Sequence, residues 1–181
     1  MAEPFMTTPP KPERLGAMTE ENLKAAFAGE SQASQKYLAF AARAAQEGYP
    51  NVARLFTAVA FAESAHARNH LNVMGGIGST AENLKAAFGG ESFEISEMYP
   101  AYSAVAKMQG NAEAVTSIRY ALAAEKDHQG IYEATGKKVD GAADLDATPI
   151  RVCPVCGHTI VGEAPDECPL CGTAGRLFHS F

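Results

Sequence analysis

The chain has 181 residues, of which 46% are hydrophobic and 20% charged, and its formal net charge is −6. This composition is typical of a globular protein with one ordinary domain and room for a small second module. The negative charge argues against a nucleic-acid partner, because phosphate binding requires a basic face. The apolar stretches of the predicted helices are too short to cross a bilayer, so no membrane partner is expected.

Neither the N-terminal segment nor the cysteines indicate secretion. Residues 1–18 contain four prolines and no hydrophobic stretch, and they are predicted to form a flexible tail without chemistry. All four cysteines lie within residues 153–171, which leaves none to cross-link the remainder of the chain. This usage favours a metal site in a reducing, cytoplasmic compartment over a disulfide framework.

Two long helices are predicted in the first half of the chain. The first covers residues 19–48, with Thr19 as the candidate N-cap and Gly48 at its end. The second runs from Pro50 to Met74, because proline suits the first turn of a helix, where its missing N–H would be unpaired. Apolar residues recur at helical spacing in both segments.

Two further helices are predicted in the second half. The third runs from Thr80 to Gln109 and is expected to continue through a kink at Pro100, since the apolar pattern persists beyond the proline. The fourth begins after Asn111, a candidate N-cap, and ends near Gly136. The pattern therefore predicts an all-α fold, with a four-helix bundle over residues 19–136.

The chain contains one short phrase twice. Residues 21–31 read ENLKAAFAGES and residues 82–92 read ENLKAAFGGES, which agree at ten of eleven positions. Each copy contains a Gly-Glu pair, with Glu30 in the first and Glu91 in the second, and each is followed by a Glu-x-x-His motif. The repeat predicts that the first two helices superpose on the last two about a pseudo-two-fold axis.

These glutamates and Glu-x-x-His motifs are candidate metal ligands. Residues i and i+3 of a helix share a face, so the glutamate and histidine of each motif point the same way. Buried carboxylates need cations to neutralise them, and this ligand set is that of a di-metal site in a four-helix bundle. Oxygen-rich ligation with one histidine per metal favours iron or manganese over zinc. The predicted ligands are Glu30, Glu63, His66, Glu91, Glu125 and His128.

Three further residues share these helix faces. Glu94 lies three residues after Glu91, so it is either an additional ligand used in one redox state or a surface charge. Tyr37 lies seven residues after Glu30 and is placed to hydrogen-bond a ligand carboxylate. Regular helical spacing nominates Tyr102, eleven residues after Glu91, as its counterpart.

The C-terminal residues 151–181 contain two Cys-Pro-x-Cys-Gly motifs and neither tyrosine nor tryptophan, and a linker at residues 137–150 precedes them. The module is too short for an apolar core, so a metal is expected to hold it together. Two such knuckles form a tetrahedral four-sulfur site for iron or zinc. A neighbouring di-iron site favours iron, because zinc carries no electron. The predicted ligands are Cys153, Cys156, Cys168 and Cys171.

With these motifs together, residues 19–181 resemble the rubrerythrin family. The resemblance is carried by the two Gly-Glu phrases, ESAH at 63–66, ESFE at 91–94 followed by EMYP, EKDH at 125–128 and the paired knuckles. It implies a ferritin-like four-helix bundle with a di-iron site, joined to a small C-terminal rubredoxin-like domain with one iron. It further implies a non-haem peroxidase that reduces hydrogen peroxide to water.

The resemblance also implies roles for individual residues. The bridging glutamates would be Glu63 and Glu125, with Glu30 and either Glu94 or His66 completing one iron, and Glu91 and His128 the other. Tyr37 and Tyr99 match the family's hydrogen-bonding tyrosines, in conflict with the choice of Tyr102 by spacing. Because ferric iron prefers carboxylate and ferrous iron accepts imidazole more readily, Glu94 and His66 are expected to exchange at one iron.

Three functions follow from these patterns. The leading hypothesis is a peroxidase whose cysteine-bound iron relays electrons from a rubredoxin or an NAD(P)H-dependent reductase, acting as a homodimer or higher oligomer. The first alternative is a ferritin-like iron-oxidising or iron-storage protein, which needs neither Glu94 nor the cysteine module. The second is a zinc-ribbon interaction protein whose bundle metals are incidental.

Overall fold

The computed structural model describes residues 15–181, so most of the predicted N-terminal tail lies outside the described part. The chain divides between Gly78 and Ser79 into two compact units. Among the helices described, none combines the length and the apolar character that crossing a membrane requires.

The first unit contains helices α1 (Ala17–Gln46) and α2 (Pro50–Val73). The prediction that Thr19 caps the first helix is wrong. Gly16 occupies the N-cap position, and residue 19 already lies within α1. α2 begins at the proline as predicted. The turn between the helices uses Gly48 with φ +83°, a left-handed conformation that favours glycine.

Small side chains form the contact between α1 and α2. The buried hydroxyl of Ser34 donates a hydrogen bond of 3.0 Å to the Ala60 carbonyl on the facing helix. A buried hydroxyl with a partner avoids the desolvation cost of an unpaired polar group. The buried apolar residues of this contact are Ala41, Ala44, Ala60 and Ala67.

The helices of the second unit are α3 (Thr80–Phe93), α4 (Tyr99–Met108) and α5 (Ala112–Asp140). Ser79 caps α3 in a capping box with Glu82. Asn111 caps α5, as predicted, by accepting a 2.9 Å hydrogen bond from the Ala114 N–H. α5 continues four residues past the predicted end at Gly136, and two lysines in its last turn favour this extension because cations stabilise helix C-termini.

A π-helical segment, Glu94–Met98, joins α3 to α4. The N–H of Tyr99 donates to the Glu94 carbonyl five residues earlier, which is the π pattern. In place of the predicted kink within one continuous helix, the structure has this π-helical segment followed by a new helix. Pro100 lies in the first turn of α4, where its missing N–H is tolerated. The wide turn inserts one extra residue into the third predicted helix.

The cysteine module also belongs to the second unit. It contains an antiparallel sheet in the order β2-β1-β3, formed by β1 (Ile150–Val152), β2 (Thr159–Val161) and β3 (His179–Ser180). Its buried cluster consists of three cysteines and Phe178. Tyr120 of α5 packs against that cluster, so the helix supplies the aromatic tyrosine that the module lacks.

Candidate metal centres

The first unit brings three of the predicted ligands together. The ligand atoms of Glu30, Glu63 and His66 all lie within 4.8 Å of one another. Glu63 and His66 are one turn apart on α2, and His66 Nδ1 lies 2.9 Å from Glu63 Oε2. The His66 side chain remains 54% exposed.

The second unit brings together the repeat counterparts Glu91, Glu125 and His128, whose ligand atoms also lie within 4.8 Å of one another. His128 Nδ1 is 2.6 Å from Glu125 Oε2 and 3.9 Å from Glu91 Oε1. Each cluster therefore offers two carboxylates and one imidazole, a donor set that suits iron. The repeat in the sequence is thus a repeat of carboxylate–histidine clusters in the structure, one in each unit.

Without a cation, the surroundings of the second cluster disfavour the ionised form of its carboxyl groups. Burial raises the pKa of Glu91 to about 7, and hydrogen bonding to Glu125 and its charge add to the effect. Burial also raises the pKa of Glu94, followed by the charge of Glu125. Carboxylates that resist ionisation in this way need a proton or a metal ion to compensate them. Glu94 thus shares the acidic environment of the cluster.

Tyr99 lies in the field of these carboxylates. Burial raises the pKa of the Tyr99 phenol, and the charges of Glu94, Glu125 and Glu91 raise it further. Tyr102 packs edge-on against Tyr99 but is itself 54% exposed. This geometry favours Tyr99 over Tyr102, and the role of either residue at a ligand carboxylate stays a prediction.

The π-helical turn explains the change of face. The repeat offset is 61 between Glu30 and Glu91 but 62 between Tyr37 and Tyr99, so one residue has been inserted between them. In a regular helix a residue seven positions on returns to nearly the same face. One inserted residue moves that position to eight, which is Tyr99.

Tyr37 occupies an aromatic cluster in the first unit. Its ring centroid lies 6.1 Å from that of Phe40 and 6.2 Å from that of Phe56. The structure shows no hydrogen bond from Tyr37 to Glu30 among the described residues. Its predicted role at a ligand carboxylate stays a prediction.

The four cysteine sulfurs are arranged for a single metal ion. The Sγ atoms of Cys153 and Cys171 are 3.6 Å apart, and those of Cys156 and Cys168 are 3.5 Å apart. These separations are far too long for disulfides, and a tetrahedral site with metal–sulfur bonds of about 2.3 Å requires sulfurs about 3.8 Å apart. The donor set and its geometry fit one iron.

Both knuckles use glycine as predicted. Gly157 and Gly172 adopt φ of +78° and +75°, and their N–H groups donate to the carbonyls of Cys153 and Cys168 at 3.0 and 2.9 Å. A hydrogen bond with the Thr173 side chain lowers the pKa of the Cys171 thiol to about 6. A thiolate at neutral pH is the form that binds metal.

The cysteine module is docked on α5 beside the second cluster. His128 Nε2 lies 2.9 Å from Thr159 Oγ1, and His158 Nδ1 lies 2.6 Å from Asp127 Oδ2. Thr159, Asp127 and Tyr120 were not among the residues predicted from the sequence. His158 beside a knuckle and Asp127 beside a ligand histidine were the only available signals, and neither specifies a partner.

The fold and the two kinds of metal-binding cluster define a class, the helical carboxylate–histidine metalloproteins with an appended four-cysteine module. The family model for rubrerythrin matches residues 21–135, and that for the rubrerythrin rubredoxin-like domain matches residues 152–179. The chain belongs to the rubrerythrin family. The predicted resemblance and the ferritin-like, rubredoxin-like fold class are thereby confirmed.

Individual relatives agree with this assignment. Rubrerythrin-2 of Clostridium acetobutylicum is 37% identical over 91% of this chain and 97% of its own length. Nigerythrin of Nitratidesulfovibrio vulgaris is 36% identical over 90% of this chain and 86% of its own. A solved structure described as the partially reduced state of nigerythrin is 34% identical, covers 98% of this chain and 92% of its own, and has a TM-score of 0.55.

Family membership and donor chemistry together give the cofactors. The rubrerythrin family carries a di-iron site among its helices and one iron in its rubredoxin-like domain. In this chain the carboxylate–histidine clusters and the four-cysteine cluster are the groups of matching chemistry. The predicted iron cofactors are therefore confirmed, and the protein is a di-iron oxidoreductase at the level of the family.

Proposed function

We propose that this protein is a non-haem peroxidase that reduces hydrogen peroxide to water, with electrons relayed through its four-cysteine iron from an external donor such as a rubredoxin. The observation that carries the proposal is the hydrogen bond between His128 and Thr159, which joins the second carboxylate–histidine cluster to the four-cysteine module. An iron-storage protein needs no such connection.

The proposal assigns a task to each group of residues. Glu30, Glu63 and His66 of the first unit, and Glu91, Glu125 and His128 of the second, with Glu94 as a further carboxylate, would hold the two irons. When bound by these residues, two irons would supply the electrons for reduction of peroxide. The phenol of Tyr99, whose pKa is raised by burial and then by the charges of the surrounding carboxylates, would donate a hydrogen bond at that site.

The cysteine ligands provide the test. Cys168→Ser should largely abolish peroxide consumption driven by a reduced donor, because the relay loses its iron. The same variant should still undergo a single oxidation of its ferrous bundle by peroxide. The matched control is Ser180→Ala near the C-terminus, which removes a hydroxyl from an exposed residue of the module and should retain donor-driven turnover.

The alternatives predict other results. An iron-oxidising or iron-storage protein would assemble into a shell and accumulate mineral, with no effect of Cys168→Ser on iron oxidation. A zinc-ribbon interaction protein would contain zinc at the cysteines when expressed with ample iron. Metal analysis and a visible spectrum of protein purified without oxygen separate these outcomes.

A further inference from the structure

The two carboxylate–histidine clusters differ at their histidines. His128 has polar contacts at both ring nitrogens, because Nδ1 lies 2.6 Å from Glu125 Oε2 and Nε2 lies 2.9 Å from Thr159 Oγ1. Its counterpart His66 has, within residues 15–181, a single hydrogen bond, between Nδ1 and Glu63. The His128 side chain is 29% exposed, against 54% for His66. The cysteine module supplies the extra contact.

The hydrogen-bond direction at Thr159 follows from proton counting. The Thr159 hydroxyl has one proton, and it donates that proton to the Gly157 carbonyl at 2.9 Å. Its oxygen is then free to accept from the Nε2–H of His128. With a metal ion in the cluster, this arrangement would place the ring proton on Nε2 and leave the lone pair of Nδ1, beside the carboxylates, to bind the metal.

The position of Thr159 is itself fixed by the contact of its loop with α5. A Cβ atom added at Gly157 would lie 3.7 Å from the Cβ of the buried Ala124, so small residues on both sides allow the close approach. The hydrogen bond between His158 Nδ1 and Asp127 Oδ2 holds the loop one residue before Thr159. Three consecutive module residues therefore contact one face of α5.

We propose that Thr159 is a positioning residue for His128, through which the docked cysteine module fixes the tautomer and orientation of this ligand histidine. The same contact joins the two metal sites of one chain. Gly157, whose carbonyl accepts from Thr159, directly follows the ligand Cys156. The inference rests on the metal sites of the proposed function, but its test needs no turnover.

The test compares three variants of the full-length protein loaded with ferrous iron. Thr159→Val removes the acceptor with little change of shape, and Thr159→Ser keeps the hydroxyl. Thr116→Val is the control, because this exposed threonine on α5 bonds only the Ala112 carbonyl of its own helix. The first readout is deuterium exchange of the ligand-histidine ring protons, which paramagnetic shifts separate from other signals. The second is metal affinity in competition with a chelator.

Thr159→Val should exchange the His128 ring proton faster and bind bundle iron about 10-fold more weakly, as expected when the partner of a ligand histidine is lost. Thr159→Ser and Thr116→Val should match the unaltered protein, and the His66 proton should exchange quickly in all of them. A Thr159→Val protein unchanged in both readouts would overturn the proposal. Equal losses in the valine and serine variants would also overturn it, because the hydroxyl would then not be the group responsible. Both readouts can be measured even if the protein has no peroxidase activity, so failure of the proposed function and failure of this inference are distinguishable.

Discussion

Replacing Glu91 by glutamine should stabilise the metal-free protein at neutral pH and leave its stability in acid nearly unchanged. Burial, followed by the hydrogen bond and charge of Glu125, raises the pKa of Glu91 from 4.5 to about 7. Between these values the folded chain keeps a proton that the unfolded chain has lost. Stability therefore falls as the pH rises from 4.5 to about 7 and is flat above.

The magnitude follows from the size of this shift. A change of one pKa unit corresponds to about 1.4 kcal/mol, so the full shift would cost the folded state ~3 kcal/mol above pH 7. The Glu91 side chain is 16% exposed and contacts a second carboxylate, so hydration and shared protonation reduce the cost. We expect Glu91→Gln to raise the free energy of unfolding by about 1–2 kcal/mol at pH 8. For a chain of this size, each kcal/mol corresponds to a rise of roughly 2–4 °C in Tm.

The assay is thermal unfolding followed by far-UV circular dichroism, with chelator and thiol reductant present, at pH 5 and pH 8. Glu97→Gln is the matched control, because it makes the same chemical change at an exposed position of the π-helical segment. On addition of ferrous iron the order should reverse, since Glu91→Gln removes a ligand. If Glu91→Gln does not raise the Tm at pH 8, or raises it equally at pH 5, then ionisation of Glu91 does not destabilise the folded protein and the reasoning fails.

Two further substitutions test the module and the ligand exchange. Gly175→Ala should abolish iron binding by the module and its visible absorbance, because the added methyl group would overlap the Pro165 carbonyl oxygen. The control is Gly89→Ala on α3, where the added methyl group would enter open space, and this variant should retain both. Glu94→Ala should still bind two bundle metals but react more slowly with peroxide. If crystals in the oxidised and reduced states show the iron at one position with identical ligands, then Glu94 does not exchange with His66.

The sequence predicted the parts of the site that depend on local spacing. Glu63 with His66, and Glu125 with His128, each lie one turn apart on a regular helix, so their shared face follows from helical geometry. The glycines after the second cysteine of each knuckle were predictable for the same reason, because a tight turn requires a left-handed residue there.

A single inserted residue changes which side chains share a face along the third predicted helix, so spacing counted over several turns no longer applies. Counting from Glu91 on a regular helix leads to Tyr102, but the π turn moves the face to Tyr99. The change of repeat offset from 61 to 62 was present in the sequence. It locates an insertion without saying whether a wide turn or a kink absorbs it.

Contacts between distant segments could not be predicted. Thr159 meets His128 across 31 residues, and Tyr120 reaches the cysteine cluster from another element. Both contacts depend on how the module docks on α5, which no local periodicity encodes. The extension of α5 past Gly136 was missed for a related reason, because glycine is only weakly unfavourable inside a helix that lysines stabilise at its end.

The most direct test of the central claim is an anaerobic titration of the fully reduced, iron-loaded protein with hydrogen peroxide, followed in the visible spectrum. The account predicts that peroxide oxidises the bundle irons and that the thiolate-to-iron bands of the cysteine site then appear, with two electrons consumed for each peroxide. Addition of a reduced donor should bleach these bands and restore peroxide consumption. A cysteine site that stays reduced while peroxide is consumed, or that contains only zinc in protein expressed with ample iron, would contradict the relay.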